Sequence, residues 1–167
     1  PEILFKSVGE LGPLLKTRKL LPVEVVRAYL QQIETLNPKV NAFITITADR
    51  ALEQARKAEK EIASGRYRGP LHGLPYAPKD MLATRGIRTT NGAKVTSDWI
   101  PGYESTVTAH LNQAGAILVG KLNLLEFALG SGQRGLAGPA RNPWDLSHSP
   151  SGSSSGSGAA VAAGMAA

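Results

Sequence analysis

Apolar residues at Val26, Tyr29, Leu30, Ile33 and Leu36 recur with the helical period and give one face to a helix that begins at Leu21-Pro22. Pro22 suits a first helical turn, and Asn37-Pro38 predicts the end of the helix. A shorter helix precedes it, with Ser7 as its cap and Lys16 to Lys19 as a basic close that suits the helix dipole. The pattern then changes. Ala42–Ile46 is β-branched and aromatic and predicts a strand. From Ala48 to about Ser64 the helical period returns, with Leu52, Ala55 and Ile62 as the buried stripe and Gly65 as the stop. Gly69 to Pro75 reads as a turn, and the short apolar stretch around Tyr76–Pro78 as a second strand. A fourth helix is predicted over Ser105–Ala114, with Val107, Leu111 and Ala114 inward. Ala116–Gly120, leading to Lys121, reads as a buried strand, Asn123–Leu129 as a short helix, and Gly130–Ser149 as a long loop. Alternating helix and strand periods predict an α/β fold, with these three strands in one sheet and helices packed over it.

Nine of the ten residues Ser149–Gly158 are Ser or Gly, and they run directly into small apolar residues at Ala159–Ala167. Two readings are open. Such a run is often a linker or a disordered tail. An irregular run that enters an apolar segment also fits a backbone-dense loop opening a buried helix, where N–H groups and hydroxyls crowd together around an anion or a reaction site. A nucleotide-binding P-loop is excluded, because no Lys follows the glycines.

Composition narrows the classes. The chain has 167 residues, 42% hydrophobic and 19% charged, which suits one globular domain over 1–167 with no internal boundary. With no cysteine, disulfides, thiolate metal sites and a Cys nucleophile are excluded. The net charge is +6, but the basic residues are scattered apart from 16–19 and 66–68, and aromatics are only 5%, so solvated helix faces are favoured over direct nucleic-acid binding. No apolar run reaches the roughly 18 residues that cross a bilayer, and the first residues lack the layout of a signal peptide. Pro1 without an initiator Met suggests a trimmed start.

Lys79 lies in an apolar, proline-stiffened setting. Desolvation disfavours the charged amine, and a neutral lysine can act as a base. It could equally snorkel to water or pair with Asp80. A serine hydroxyl needs a base before it becomes a useful nucleophile. His72, His110 and His148 do not stand in a nucleophile-elbow pattern, which leaves a Ser–Lys arrangement as the alternative.

Five segments carry a resemblance to the amidase signature enzymes. They are Gly73–Asp80, Ala114–Asn123, Glu126–Ala128, Asn142–Asp145 and the Ser/Gly run with its Ala-rich continuation, in the family's order. The resemblance implies a mixed sheet covered by helices and an amidohydrolase with a Ser–Ser–Lys triad. Its lysine falls on Lys79. Its bridging serine, preceded by a cis peptide bond, falls on Ser153, with Ser154 as the second candidate in the triple serine. The nucleophile is then expected beyond residue 167, so the chain resembles the N-terminal third of the enzyme, an incomplete amidase-signature fold inactive by itself and with part of its apolar surface uncovered. Ser151 and Ser155 replace glycines of the family pattern, and Gly158 replaces an alanine. If either of the first two positions needs positive φ, serine is strained there. The implied substrate is a small-molecule amide of unspecified identity. No cofactor, metal or membrane is implied, no substrate-binding residue is assigned, and the implied compartment is the cytoplasm. A homodimer or an amidotransferase complex remains open as a partner, because the family includes the ammonia-releasing subunit of a tRNA-dependent amidotransferase. A non-enzymatic anion-binding or assembly module is the competing class.

Overall fold

Glu10 opens the first helix, α1 (Val8–Lys16), by reaching back to Ser7, whose N–H and hydroxyl both donate to its carboxylate at 2.8 and 2.7 Å. The structure, a computed structural model, describes residues 2–129 and 135–167. Helix α2 (Pro22–Val40) begins in the same manner, with Glu24 accepting from the Leu21 N–H. Its buried face holds Val25, Val26, Tyr29 and Ile33. The helix does not stop at Asn37-Pro38. It runs through Pro38 to Val40 and closes on Asn41 in the left-handed conformation. In the last turn the missing proline N–H removes a single bond. Val40 gains burial, and the Asn37 side chain both accepts from and donates to the Phe43 main chain.

Helix α3 (Ala48–Ala63) packs on α2, with Ala51, Ala55, Ala58 and Ile62 buried, while Leu52 is half-buried at its margin. Helix α4 (Thr106–Gln113) lies within the expected 105–114, and Ser105 is its cap. Its inward residue is Thr108, not Val107. Val107 is 51% exposed and borders an apolar cavity with Leu71, Leu82 and Leu111. Thr108 goes inward because its hydroxyl lies within hydrogen-bond reach of the Glu104 carboxylate and of the Ala83 carbonyl.

The three predicted strands do not make one continuous sheet. They form two ladders of two strands each. Strand β1 (Phe43–Ile46) is antiparallel to β4 (Gly120–Leu122), and β2 (Pro75–Tyr76) is parallel to β3 (Ile117–Leu118). The segment 117–122 belongs to both ladders, and Val119 is where it changes partner. Its N–H donates to the Tyr76 carbonyl and its own carbonyl accepts from Thr47. The mixed α/β class therefore holds, with small ladders in place of a single sheet.

Asn123–Leu129 holds only a 3-10 turn, Glu126–Ala128, in which Phe127 has φ 49°. Of the expected loop Gly130–Ser149, residues 130–134 lie outside the described residues, and 135–149 form turns. The Ser/Gly run leads into helix α5 (Ser155–Ala162), whose buried face is Ser155, Gly156, Ala159 and Ala160. The other face is open, with Val161 58% exposed. The main apolar cluster joins α2, α3, β1, the 117–122 segment and α5, while a second gathers Leu4, Leu11, Leu15, Val25, Tyr29 and Leu74. Val95, Leu129 and Trp144 stand 82%, 76% and 86% exposed.

Candidate active site

Lys79 follows β2 and is held by main chain on both sides. The Leu122 N–H donates to the Pro78 carbonyl, and the Asp80 N–H donates to the Leu122 carbonyl, both at 2.9 Å. Lys79 itself forms a parallel bridge with Leu122. The residue is half-buried. Even so, desolvation holds its pKa below the ordinary lysine value. Among the described residues it forms no ion pair. Its partner is Ser153, with Lys79 Nζ 2.6 Å from Ser153 Oγ.

Ser153 is set by the turn ahead of α5. The Ser153 carbonyl accepts from the Leu125 N–H at 3.1 Å, and the Gly152–Ser153 peptide bond is cis. Glycine at 152 follows from a close approach, since a Cβ there would stand 2.6 Å from Leu125 Cδ1. Gly156 is tighter still. A Cβ would lie 2.5 Å from the Ala42 carbonyl oxygen and from the Asn123 nitrogen, both main-chain atoms. Ser151 has φ 69°, so one of the two serines at expected glycine positions does occupy the left-handed region, while Ser155 lies in the helix. Ser154 is exposed, and its carbonyl accepts from the Ser157 and Gly158 N–H groups. The structure thus brings Lys79 and Ser153 together and leaves Ser154 out of that contact.

Two features behind the pair escaped the sequence reading. Asp80 does not pair with Lys79. It faces Lys121, with Nζ 3.0 Å from Oδ1 and both side chains fully buried. Lys121 also donates to Thr89 Oγ1 and the Leu82 carbonyl, and Asp80 Oδ2 accepts from the N–H and hydroxyl of Thr90. Burial pushes the Lys121 pKa down, against the pull of Asp80. A charge at the end of the apolar run 116–120 was the available signal, because a buried charge requires a partner. The second feature is Asn123, whose amide donates to the Asn41 and Gly138 carbonyls while its Oδ1 accepts from the Leu124 N–H. It fastens the segment on which Gly156 rests.

The histidines lie elsewhere. His72 packs against Glu61 and Arg68, and His148 makes an exposed contact with Asp145. Among the described residues no three His, Asp or Glu side chains gather as a metal cluster, and no helix is long and apolar enough to cross a membrane.

The chain belongs to the amidase family, whose model, described as Amidase, matches residues 24–167. It is 48% identical over 163 residues to the A subunit of the glutamyl-tRNA(Gln) amidotransferase of Geobacter metallireducens, a match that takes in 97% of the chain and 33% of the relative. It is 49% identical over 159 residues to the corresponding protein of a Cyanothece strain, covering 95% and 33%. Among solved structures it resembles the native peptide amidase of Stenotrophomonas maltophilia, with TM-score 0.89, 36% identity, and 96% of the chain matching 34% of that structure. It also resembles a bacterial aryl acylamidase of the amidase signature family, with TM-score 0.89, 30% identity, and 99% matching 35%. The chain therefore spans about a third of the length of the relatives it matches.

Proposed function

We propose that the full-length polypeptide cleaves a carboxamide C–N bond, with Lys79 as the base and Ser153 as the proton relay. The observation that carries this reading is the 2.6 Å contact between a desolvated lysine amine and a serine hydroxyl. In its neutral form Lys79 accepts the Ser153 proton, and Ser153 accepts one from a nucleophilic serine. That nucleophile belongs, in this proposal, to the part of the relatives' length that the chain does not span. Its oxygen attacks the amide carbonyl, and collapse of the tetrahedral intermediate breaks the C–N bond. The relay returns its proton to the departing ammonia or amine, and water then cleaves the acyl-enzyme ester. No step changes an oxidation state, and each proton passes among serine, lysine, water and the leaving group, so the proposal invokes no cofactor or metal.

Identities of 48% and 49% to amidotransferase A subunits, against 36% and 30% to the amidases, favour a second form of this chemistry. In that form the ammonia comes from glutamine and is handed on within an amidotransferase complex, in the cytoplasm, without direct contact of this chain with nucleic acid. A homodimeric amidase acting on small amides is the alternative. The test is ammonia release by the full-length polypeptide from glutamine and from simple carboxamides, with Lys79→Ala and Ser153→Ala alongside. Activity lost by about 10²–10⁴-fold in both variants, at unchanged folding, is expected. Full activity in Lys79→Ala would overturn the assignment.

A further inference from the structure

Asp80 and Lys121 are both fully buried and lie on the two chain segments that hold Lys79. Asp80 is the next residue after Lys79, and Lys121 precedes Leu122, whose N–H and carbonyl clamp the main chain on either side of Lys79. The connections continue from Asp80 towards Ser153. Asp80 Oδ2 accepts from the Thr90 N–H and hydroxyl, and its carbonyl accepts from the Asn91 N–H. Residues Thr90–Ala93 form a tight turn, closed by the Ala93 N–H on the Thr90 carbonyl, with Asn91 and Gly92 at φ 52° and 69°. This is the type I′ pattern. The Asn91 carbonyl accepts from Phe127, two residues after Leu125. Leu125 in turn donates to the Ser153 carbonyl and fills the space beside Gly152. Asp80 therefore stands at the junction between the segment that carries Lys79 and the one that supports Ser153.

A buried ion pair is a poor source of stability, because the desolvation cost offsets the attraction, and well-packed neutral replacements are often tolerated. Its best-attested use is to fix a register. We propose that Asp80 and Lys121 are positioning residues that set the separation of Lys79 Nζ and Ser153 Oγ. This inference rests on the amide-cleavage reading above. Neither side chain touches the reacting atoms. The pair holds 79–80 against 121–122 and anchors the 90–93 turn, and loss of that register lets the amine drift from the hydroxyl.

The test uses the full-length polypeptide. Each single neutralisation strands a buried charge, so the informative variant is Asp80→Asn combined with Lys121→Met, which removes both charges at similar volume. Thr90→Val is the milder companion: it removes the hydroxyl's bond to Asp80 and its acceptance from the Gly92 N–H within the turn that Asp80 anchors, while leaving the ion pair. The expected result for the double variant is a melting temperature close to the parent's. Its kcat should fall by about a hundredfold, as a small misplacement of reacting groups produces, with KM changing only a few-fold. Thr90→Val should show the same split, smaller in size. If the double variant does not fold, Thr90→Val decides alone. An unchanged kcat in whichever variant folds, or a kcat and KM that worsen together, would overturn the proposal. Lys79→Ala measured in parallel separates the two claims. If it retains activity, the amide-cleavage reading fails first. If it is inactive while the double variant keeps full kcat, only the positioning role falls.

Discussion

Lys79 and Ser153 are 74 residues apart in the chain, yet their side chains meet at 2.6 Å. Ser154, one position on, is exposed, and its hydroxyl makes no cap bond to α5. The two serines should therefore respond differently. Ser153→Ala is expected to lower amide hydrolysis by about 10²–10⁴-fold, and Ser154→Ala by no more than a few-fold. Steady-state rates of both variants check this, and the reverse order would mean that the relay is one residue further on. Ser151 gives a second prediction. Its φ of 69° costs a non-glycine residue roughly 1–2 kcal/mol, while glycine gives back about 0.4–1 kcal/mol through the unfolded chain. Ser151→Gly should then stabilise by roughly 0.5–1 kcal/mol, read from urea denaturation. The Ser151 substitution was legible in the sequence as a departure at a glycine position. The Asp80–Lys121 pair was not, because neighbouring residues such as Lys79 and Asp80 suggest a local pair, while the true partner lies across the fold.

Among the elements, those written in local periodicity were legible. The bounds of α1 and α3 and the start of α2 follow from caps and apolar spacing that act within a few residues. The errors arose where tertiary contacts override a local rule. Burial of Val40 and the Asn37 contacts with Phe43 carry α2 past Pro38, and the Thr108 bonds to Glu104 and Ala83 turn Val107 outward. The single strand read over 116–120 became parts of two ladders, because the choice of partner on each side of Val119 is made by distant segments. Helix α5 shows what one of its two glycines is for. At Gly156 an added methyl would meet the Ala42 and Asn123 main chains, which cannot rotate away. Gly156→Ala is therefore expected to destabilise by about 3 kcal/mol or more, at the upper end of overpacking costs. It should also weaken activity, since α5 must shift and carry Ser153 with it. A denaturation midpoint equal to the parent's would show that this approach is looser than it looks.

Across the whole molecule, the joining of distant segments was the part least visible in local pattern. The Ser153 contact with Lys79 came from resemblance to a family, and the cluster around His72 was not foreseen at all. His72 is 1% exposed. Its Nδ1 accepts from the Arg68 N–H at 3.2 Å, which leaves the proton on Nε2, 3.2 Å from Glu61 Oε2. Burial, helped by Arg68, holds the His72 pKa below its ordinary value even though Glu61 pulls the other way. The fold therefore keeps this imidazole neutral at a pH where the unfolded chain would protonate it. Stability from this source is full above pH about 6.5, the unfolded value, and is lost as the pH falls from there towards the lower folded value. Glu61 acts in a lower window. Its hydrogen bonds from Arg68 lower its pKa, so its contribution is present above the ordinary carboxylate range and lost only on further acidification. The two windows can be told apart by substitution. In His72→Gln the side-chain amide can still donate towards Glu61, and nothing titrates near neutrality. Between pH 7 and 5 the melting temperature of the full-length polypeptide should fall more steeply than that of His72→Gln, because only the parent has a buried imidazole whose folded pKa lies below the unfolded value. Equal slopes from pH 7 to 5 would mean that His72 takes up its proton without loss of the fold.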